Sequence, residues 1–420
     1  MESEDQFFIE LDKDGCLITP KEVAARYGLV PGDRLPLAEG PAGLKLMRPS
    51  RLSKLYVEPT NQCNLDCRTC MRNVWEESPG MMSDEVFDRI VDGLKAFSTA
   101  PTVFFGGFGE PLFHPQIVNM VRRTKELGTR VELITNGTLL TKEMSKQLAK
   151  TAVDVIWVSL DGATPESYAD IRLGAELPRV IENLGYLYDA IRAEGSIVRG
   201  PCGALPIFRT ELGIEFVAMK RNIADLPSVL ALGKKFDARR FIITNVLPYT
   251  KEMSEQALYH YIQRPGNSYP SLSLPRMQDT DIPEEMIARE TVAMNVIRAG
   301  CEDHSRNRCP FIESGAGALS WDGDLSPCLP LMHSHTSYLA CYQRYSRRYV
   351  VGNIMERSLR ELWYDPGHIA FRKRVQSFDF APCTTCGGCD LSEGNEEDCA
   401  GSSFPACGGC LWAQGLIQCP

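Results

Sequence analysis

Three cysteines, Cys63, Cys67 and Cys70, fall within eight residues of the stretch EPTNQCNLDCRTCMRN. Four thiolates close a tetrahedral zinc site or a cubane iron–sulfur cluster. Three thiolates on a cubane leave one iron open, and an open position is what a substrate or cosubstrate needs. Further cysteines stand far downstream: Cys301, Cys309, Cys328, Cys383, Cys386, Cys389, Cys399, Cys407, Cys410 and Cys419. Thirteen residues, Gly323 and four more residues separate Cys309 from Cys328. Cys383-x2-Cys386-x2-Cys389 and Cys407-x2-Cys410 are close-spaced sets. Such pairs suit zinc as well as iron, so zinc stays open for one of these sites. Cys16, Cys202 and Cys341 are isolated and read as ordinary thiols.

Two other kinds of polar motif could handle a ligand. FFGGFGEPLFHP carries Gly106, Gly107, Gly109 and Glu110. Glycines let a backbone approach a ligand closely, and a glutamate can accept from a cationic amine. ITNGTLL carries Asn136, and VSLDGATPESYADIR carries Ser159, Asp161 and Arg172. Asn136 beside Gly137 also reads as a turn residue, and Asp161 as a helix cap or turn residue.

Alternating strands and helices must position these groups. Apolar runs at 54–60, 102–107, 130–136, 154–161, 212–219 and 239–246 read as strands. Amphipathic stretches between them have helical spacing, with Ser83 and Thr141 as N-caps. Six β/α units in a row predict an α/β fold, a partial (β/α)6 TIM-type barrel. In such sheets chemistry sits at the carboxyl ends of the strands, where each motif above falls. Residues 8–50 read as a strand, turn and strand, a helix opened by Pro20, then a hairpin. Residues 251–300 form an irregular insertion ending in a helix, EEMIARETVAMNVIRA. The expected domains are 1–50, 51–250, the insertion 251–300, and a cysteine-rich unit 301–420.

Composition narrows the function classes. The chain has 420 residues, 44% hydrophobic and 24% charged, enough for a large core and more than one domain. A net charge of -9 argues against a general nucleic-acid binder. No run of about 18 apolar residues is present, so no membrane span is expected. The start, MESEDQFFIELDKDG, has no apolar signal region, and a cytoplasmic location is the default. Sixteen cysteines, clustered and absent from 71–201, then point to metal ligation rather than disulfides.

CNLDCRTC after the first strand resembles the radical S-adenosylmethionine (SAM) enzymes. The resemblance implies that Cys63, Cys67 and Cys70 hold a 4Fe–4S cluster, whose fourth iron is chelated by the methionine end of SAM. Gly106, Gly107, Gly109 and Glu110 match the family's Gly-Gly-Glu motif for the methionine amino group. Ser159 and Arg172 match its carboxylate-binding positions, Asn136 and Asp161 lie at its SAM-contacting strand ends, and ITNVLP at the sixth strand would border adenine. Arginine's planar fork suits a carboxylate. One departure is Thr69, where most relatives carry an aromatic near adenine; Met71 could substitute. The C-terminal cysteines resemble the SPASM extension, which implies one or two auxiliary 4Fe–4S clusters. Their second half departs from the usual spacing. The division read here puts Cys301, Cys309 and Cys328 with one later cysteine on the nearer cluster. The outer cluster takes Cys383, Cys386, Cys389 or Cys399, and one more.

Residues 15–46 resemble AbrB-like swapped-hairpin modules, usually dimeric and DNA-binding. Nine acids against six bases in residues 1–50 argue against DNA, so docking is preferred and a dimer through this module is possible. Together these parts resemble the maturases linked with tungsten-containing aldehyde:ferredoxin oxidoreductases. That resemblance implies a partner oxidoreductase or its pterin cofactor, and an electron donor such as ferredoxin or flavodoxin. Two alternatives stand beside it. One is a peptide- or protein-modifying SPASM enzyme of thioether-forming or sulfatase-maturase type. The other is a non-enzymatic iron–sulfur carrier, which would not need GGFGE or SLDG.

Overall fold

The computed structural model describes residues 51–200, 203–263, 270–273, 295–298, 307–339, 342–384 and 389–420. Before residue 51 it describes four short strands with Lys13, Pro20 and Lys21. Six strands follow the expected order: β1 Lys54–Val57, β2 Thr102–Phe105, β3 Val131–Thr135, β4 Val155–Ser159, β5 Glu211–Ala218 and β6 Arg240–Asn245. Each pairs in parallel with the next. Five helices cover them: α1 Asp84–Lys95, α2 Ile117–Lys125, α3 Lys142–Lys150, α4 Pro165–Ile171 and α5 Leu177–Ala193, with α6 Leu226–Lys235 before β6. Ser83 and Thr141 do cap α1 and α3, accepting from the Val86 and Met144 amides. Such caps contribute about 1 kcal/mol each.

The sheet continues past these six strands at both edges. β7 Asn295–Arg298 pairs in parallel with β6, and β8 Ala316–Leu319 in parallel with β1. β9 Asp324–Ser326 and β10 Gly352–Asn353 extend the β8 edge antiparallel. The ten strands form an open order, β7-β6-β5-β4-β3-β2-β1-β8-β9-β10. β7 corrects one expectation: the last residues of the helix read over 284–299 are a strand. The short run NVIR holds two β-branched residues, and pairing with β6 outweighs its helical spacing. Residues 284–294 lie outside the described residues.

Strand alternation splits the core in two. Leu55, Val57, Val103, Phe105, Ile156 and Val158 pack with helix residues such as Phe87, Ile90 and Leu184. Tyr56, Phe104, Trp157 and Ile242 point the other way, into the barrel. There they meet Phe311, Trp412, Leu416 and Ile417 from the C-terminal part of the chain. The Asn245 side-chain amide donates to the Leu416 carbonyl at 2.9 Å, and the Gln418 amide donates to Thr244 Oγ1 at 2.9 Å. Lys54 Nζ and Tyr56 Oη donate to the Pro420 carbonyl at 2.6 and 2.8 Å. The C-terminal segment thus fills the barrel interior, an arrangement with no local signal in the sequence.

Before residue 51, Glu10–Leu11 pairs antiparallel with Leu17–Ile18, and Leu37–Gly40 with Gly43–Leu46, as the strand readings there expect. Lys21 is helical, and the other residues of the expected helix lie outside the described residues. No helix among the described residues is long and apolar enough to cross a membrane.

Candidate active site

The loop after β1 carries Cys63, Cys67 and Cys70 into one cleft at the carboxyl end of the strands. Its backbone is fixed from two sides. The Arg68 and Asp66 amides donate to the Ile171 and Leu173 carbonyls at 3.0 and 3.2 Å. The Glu110 amide donates to the Gln62 carbonyl at 2.8 Å, tying on the loop after β2. This contact explains the glycines. A Cβ on Gly109 would stand 2.0 Å from the Thr60 carbonyl oxygen, and one on Gly107 2.7 Å from Glu58 Oε1. Gly106 lies against Phe104 and Ile134 rather than in the cleft wall.

Burial pushes the Cys63 thiol up and the Cys67 thiol to about 11, with Arg172 opposing it at Cys67. The Leu65 amide donates to Cys63 Sγ at 3.4 Å, and Arg72 Nε donates to Cys70 Sγ at 3.3 Å. Thr69 and Met71 also line the cleft.

Glu110 is buried, and burial raises its pKa against the bonds it accepts. Its oxygens accept from the Leu112 amide at 3.0 Å, Thr135 Oγ1 at 2.7 Å and the Asn136 amide at 2.7 Å. A carboxylate has about four acceptor sites, so one remains, and Glu110 lines the cleft. Asn136 lines the cleft and donates to Asn64 Oδ1 at 3.0 Å. Ser159 and Arg172 line its other side.

Asp161 has a different place from the one expected. It is fully buried behind the cleft wall, with Oδ2 2.6 Å from Arg172 Nη2 and Oδ1 accepting from the Val217 amide at 2.8 Å. It aims Arg172 and does not itself face the cleft.

Two residues lining the cleft escaped the sequence reading: Glu215 and Tyr249. Glu215 lines the cleft and accepts from Ser159 Oγ at 3.2 Å. Burial lifts its pKa to about 7, with Arg172 opposing. The available signal was an acid inside an apolar strand buried on both faces. Tyr249 is buried, and its hydroxyl has no hydrogen-bond partner among the described residues. It lines this cleft and also a second cavity.

The second cavity gathers Cys309, Cys328, Cys407 and Cys410. Burial pushes Cys309 to about 12, and Cys328 and Cys407 well above the thiol range. Two late cysteines thus lie with Cys309 and Cys328, where the expected division put Cys301 and one later cysteine with them. Spacing alone could not show that the Cys407-x2-Cys410 pair lies with them. Cys301 and Cys386 lie outside the described residues. Cys383 is buried, while Cys389 and Cys399 are exposed. Cys419 is apart from all of these. It accepts from Trp412 Nε1 at 3.4 Å inside the barrel, beside Lys54 and Glu215, and burial raises it to about 12.

The donor sets suit clusters. Among the described residues no three His, Cys, Asp or Glu side chains are gathered as a single ion requires. A cubane spreads its thiolates over the corners of a cube, so thiols distributed around a cavity fit it.

Comparison with known proteins agrees with this geometry. The Radical SAM superfamily matches residues 57–201, and SPASM, an iron–sulfur cluster-binding domain, matches residues 309–390. The tungsten-containing aldehyde ferredoxin oxidoreductase cofactor-modifying protein of Pyrococcus furiosus is 29% identical over 370 residues, 87% of this chain and 96% of that protein. Two solved structures share the fold. Streptococcus suis SuiB bound to precursor peptide SuiA has a TM-score of 0.54 at 17% identity, covering 80% of this chain and 70% of that one. Native anSMEcpe with bound AdoMet has a TM-score of 0.53 at 17% identity, covering 86% of this chain and 95% of that one. With a radical SAM match over the three-cysteine loop and a SPASM match over Cys309 and Cys328 of the second cavity, the chain is an enzyme of the radical SAM superfamily.

Proposed function

We propose that this enzyme is a maturase that cleaves SAM reductively to modify the cofactor or polypeptide of a tungsten-containing aldehyde:ferredoxin oxidoreductase. The observation that carries the chemistry is the joint placement of Cys63, Cys67, Cys70, Glu110 and Arg172 around one cleft. The target is supported by the similarity to the Pyrococcus furiosus protein, which spans nearly all of that protein's length.

Cys63, Cys67 and Cys70 would hold a 4Fe–4S cluster with one iron left for SAM. When bound, that cluster supplies the electron that breaks a carbon–sulfur bond of SAM and yields the 5′-deoxyadenosyl radical. The chain's own residues hold SAM in place for that step. Glu110 receives the methionine ammonium on its remaining acceptor site. Arg172, aimed by Asp161, meets the methionine carboxylate with Ser159. Such preorganisation turns a bimolecular encounter into a positioned one. The C-terminal segment packed in the barrel excludes water from below. Cys309, Cys328, Cys407 and Cys410 would hold an auxiliary cluster. Leu247 and Tyr249 form a shared wall between that cavity and the SAM cleft, so electrons or substrate have a short route between them.

The test is anaerobic reconstitution with SAM, a low-potential reductant and the tungsten oxidoreductase, in apo form or with its isolated cofactor. Mass spectrometry of protein and cofactor reads the outcome. The account expects a mass change on one of them, in proportion to 5′-deoxyadenosine formed. SAM cleavage with no change on either, and modification of an unrelated peptide instead, would move the enzyme to the peptide-modifying class.

A further inference from the structure

The strand Tyr342–Ser346 places a buried arginine among the C-terminal cysteines. Arg344 is 5% exposed. Its Nη1 donates to the Ser392 carbonyl at 2.7 Å. It lies so close to Gly409, one residue before Cys410, that a Cβ there would stand 2.7 Å from the guanidinium carbon. The next two arginines behave differently. Arg347 and Arg348 are far more exposed and pair with Glu396 and Asp324. Among the described residues Arg344 pairs with no carboxylate. The groups that favour its charge are the thiols of Cys383, Cys410 and Cys407 and the phenol of Tyr342.

A buried cation without a counter-ion is strongly unfavourable. Arginine cannot escape by losing its proton. Among the described residues the place for a balancing charge is the cavity that Arg344 lines, whose walls include Cys309, Cys328, Cys407 and Cys410. Gly409 leaves room for the guanidinium at that wall, where any side chain would displace it.

We propose that Arg344 is a positioning residue that supplies the counter-charge for a cubane at Cys309, Cys328, Cys407 and Cys410 and raises its reduction potential. This rests on the iron–sulfur reading of those cysteines. A cubane held by four thiolates is anionic when oxidised and gains one more negative charge when reduced. A fixed cation beside it therefore favours the reduced form. One electron passes from a low-potential donor to the cluster, and no proton moves, because the guanidinium stays charged throughout.

The experiment uses the full chain, anaerobically reconstituted, as wild type, Arg344→Lys and Arg344→Gln. Iron analysis and a dithionite titration followed by electron paramagnetic resonance are read together. In Arg344→Gln the auxiliary cluster should become at least about tenfold harder to reduce at equilibrium, about 59 mV for one electron. The SAM-binding cluster should not shift, and Arg344→Lys should stay near wild type. If Arg344→Gln fails to hold the auxiliary iron, recovery of that iron in Arg344→Lys supports the counter-charge role. Failure of both variants to hold it overturns the role in favour of packing. Full iron with unchanged auxiliary potentials in Arg344→Gln overturns it too, and leaves the cluster assignment standing. Wild-type protein that takes up no iron at these cysteines overturns both.

Discussion

At the scale of single residues, the site separates groups that touch SAM from groups that aim them. Arg172 faces the cleft, and Asp161 holds it from behind at 2.6 Å. Replacing Arg172 or Glu110 by Gln should weaken SAM binding while the three-cysteine cluster survives. A lost charged hydrogen bond is worth roughly 1.5–3 kcal/mol, or about ten- to hundred-fold in affinity. Calorimetry or equilibrium dialysis with SAM checks it; unchanged affinity in both variants means the methionine end lies elsewhere. Glu215 makes a pH prediction. Its carboxyl titrates near 7 in the folded protein against 4.5 when free. Folding therefore holds its proton, and the stability this gives is present below about 4.5 and lost as pH rises through about 7. The effect is on the order of 3 kcal/mol. Glu215→Gln should thus gain melting temperature relative to wild type between pH 5.5 and pH 8. A difference that does not change with pH would show that Glu215 is ionised throughout.

At the scale of elements, most of the frame was legible. The six strand runs, the helices between them, and the caps Ser83 and Thr141 follow from periodicity and end signals, which are local. The cleft residues were legible because the parallel sheet brings every strand's carboxyl end to one face. Glu215 was missed because it lies within a strand rather than at its end. The places of Cys407, Cys410 and Cys419 were not legible, because the return of the C-terminal segment into the barrel depends on contacts more than 170 residues apart. The loop after β2 carries its own prediction. Gly109→Ala would press a methyl onto the Thr60 carbonyl, a backbone atom that cannot swing away. Overpacking of this kind costs about 1–3 kcal/mol. The loop should shift and SAM affinity fall, with little change in far-ultraviolet circular dichroism. Wild-type affinity in this variant would mean that the two loops are not coupled.

At the scale of the whole molecule, the SPASM part is joined to the barrel through the sheet and through a buried charge. β8 adds to the barrel edge beside β1. His333 lies between Glu58, at 2.8 Å, and Glu77. Burial alone would lower its pKa, but the two carboxylates outweigh that and lift it to about 9. Glu58 also accepts from the Phe108 amide at 3.0 Å, so this contact reaches the loop that would bind SAM. The two cysteine cavities therefore belong to one framework. The reconstituted chain should hold about 12 irons, three clusters of four irons each. Replacing Cys309 and Cys328 together by Ala should remove about four of them and leave the SAM-binding cluster's spectrum intact. Stoichiometric zinc with only about four irons would make the C-terminal cysteines a structural metal fold.

The central claim is that Cys63, Cys67 and Cys70 form the centre at which SAM is cleaved. The most direct measurement is 5′-deoxyadenosine formed from SAM under dithionite, by chromatography, for wild type and the triple Cys63→Ala, Cys67→Ala, Cys70→Ala variant. The account predicts product from the wild type and none above background from the variant, although the variant keeps its auxiliary irons. Undiminished 5′-deoxyadenosine from the triple variant would contradict it.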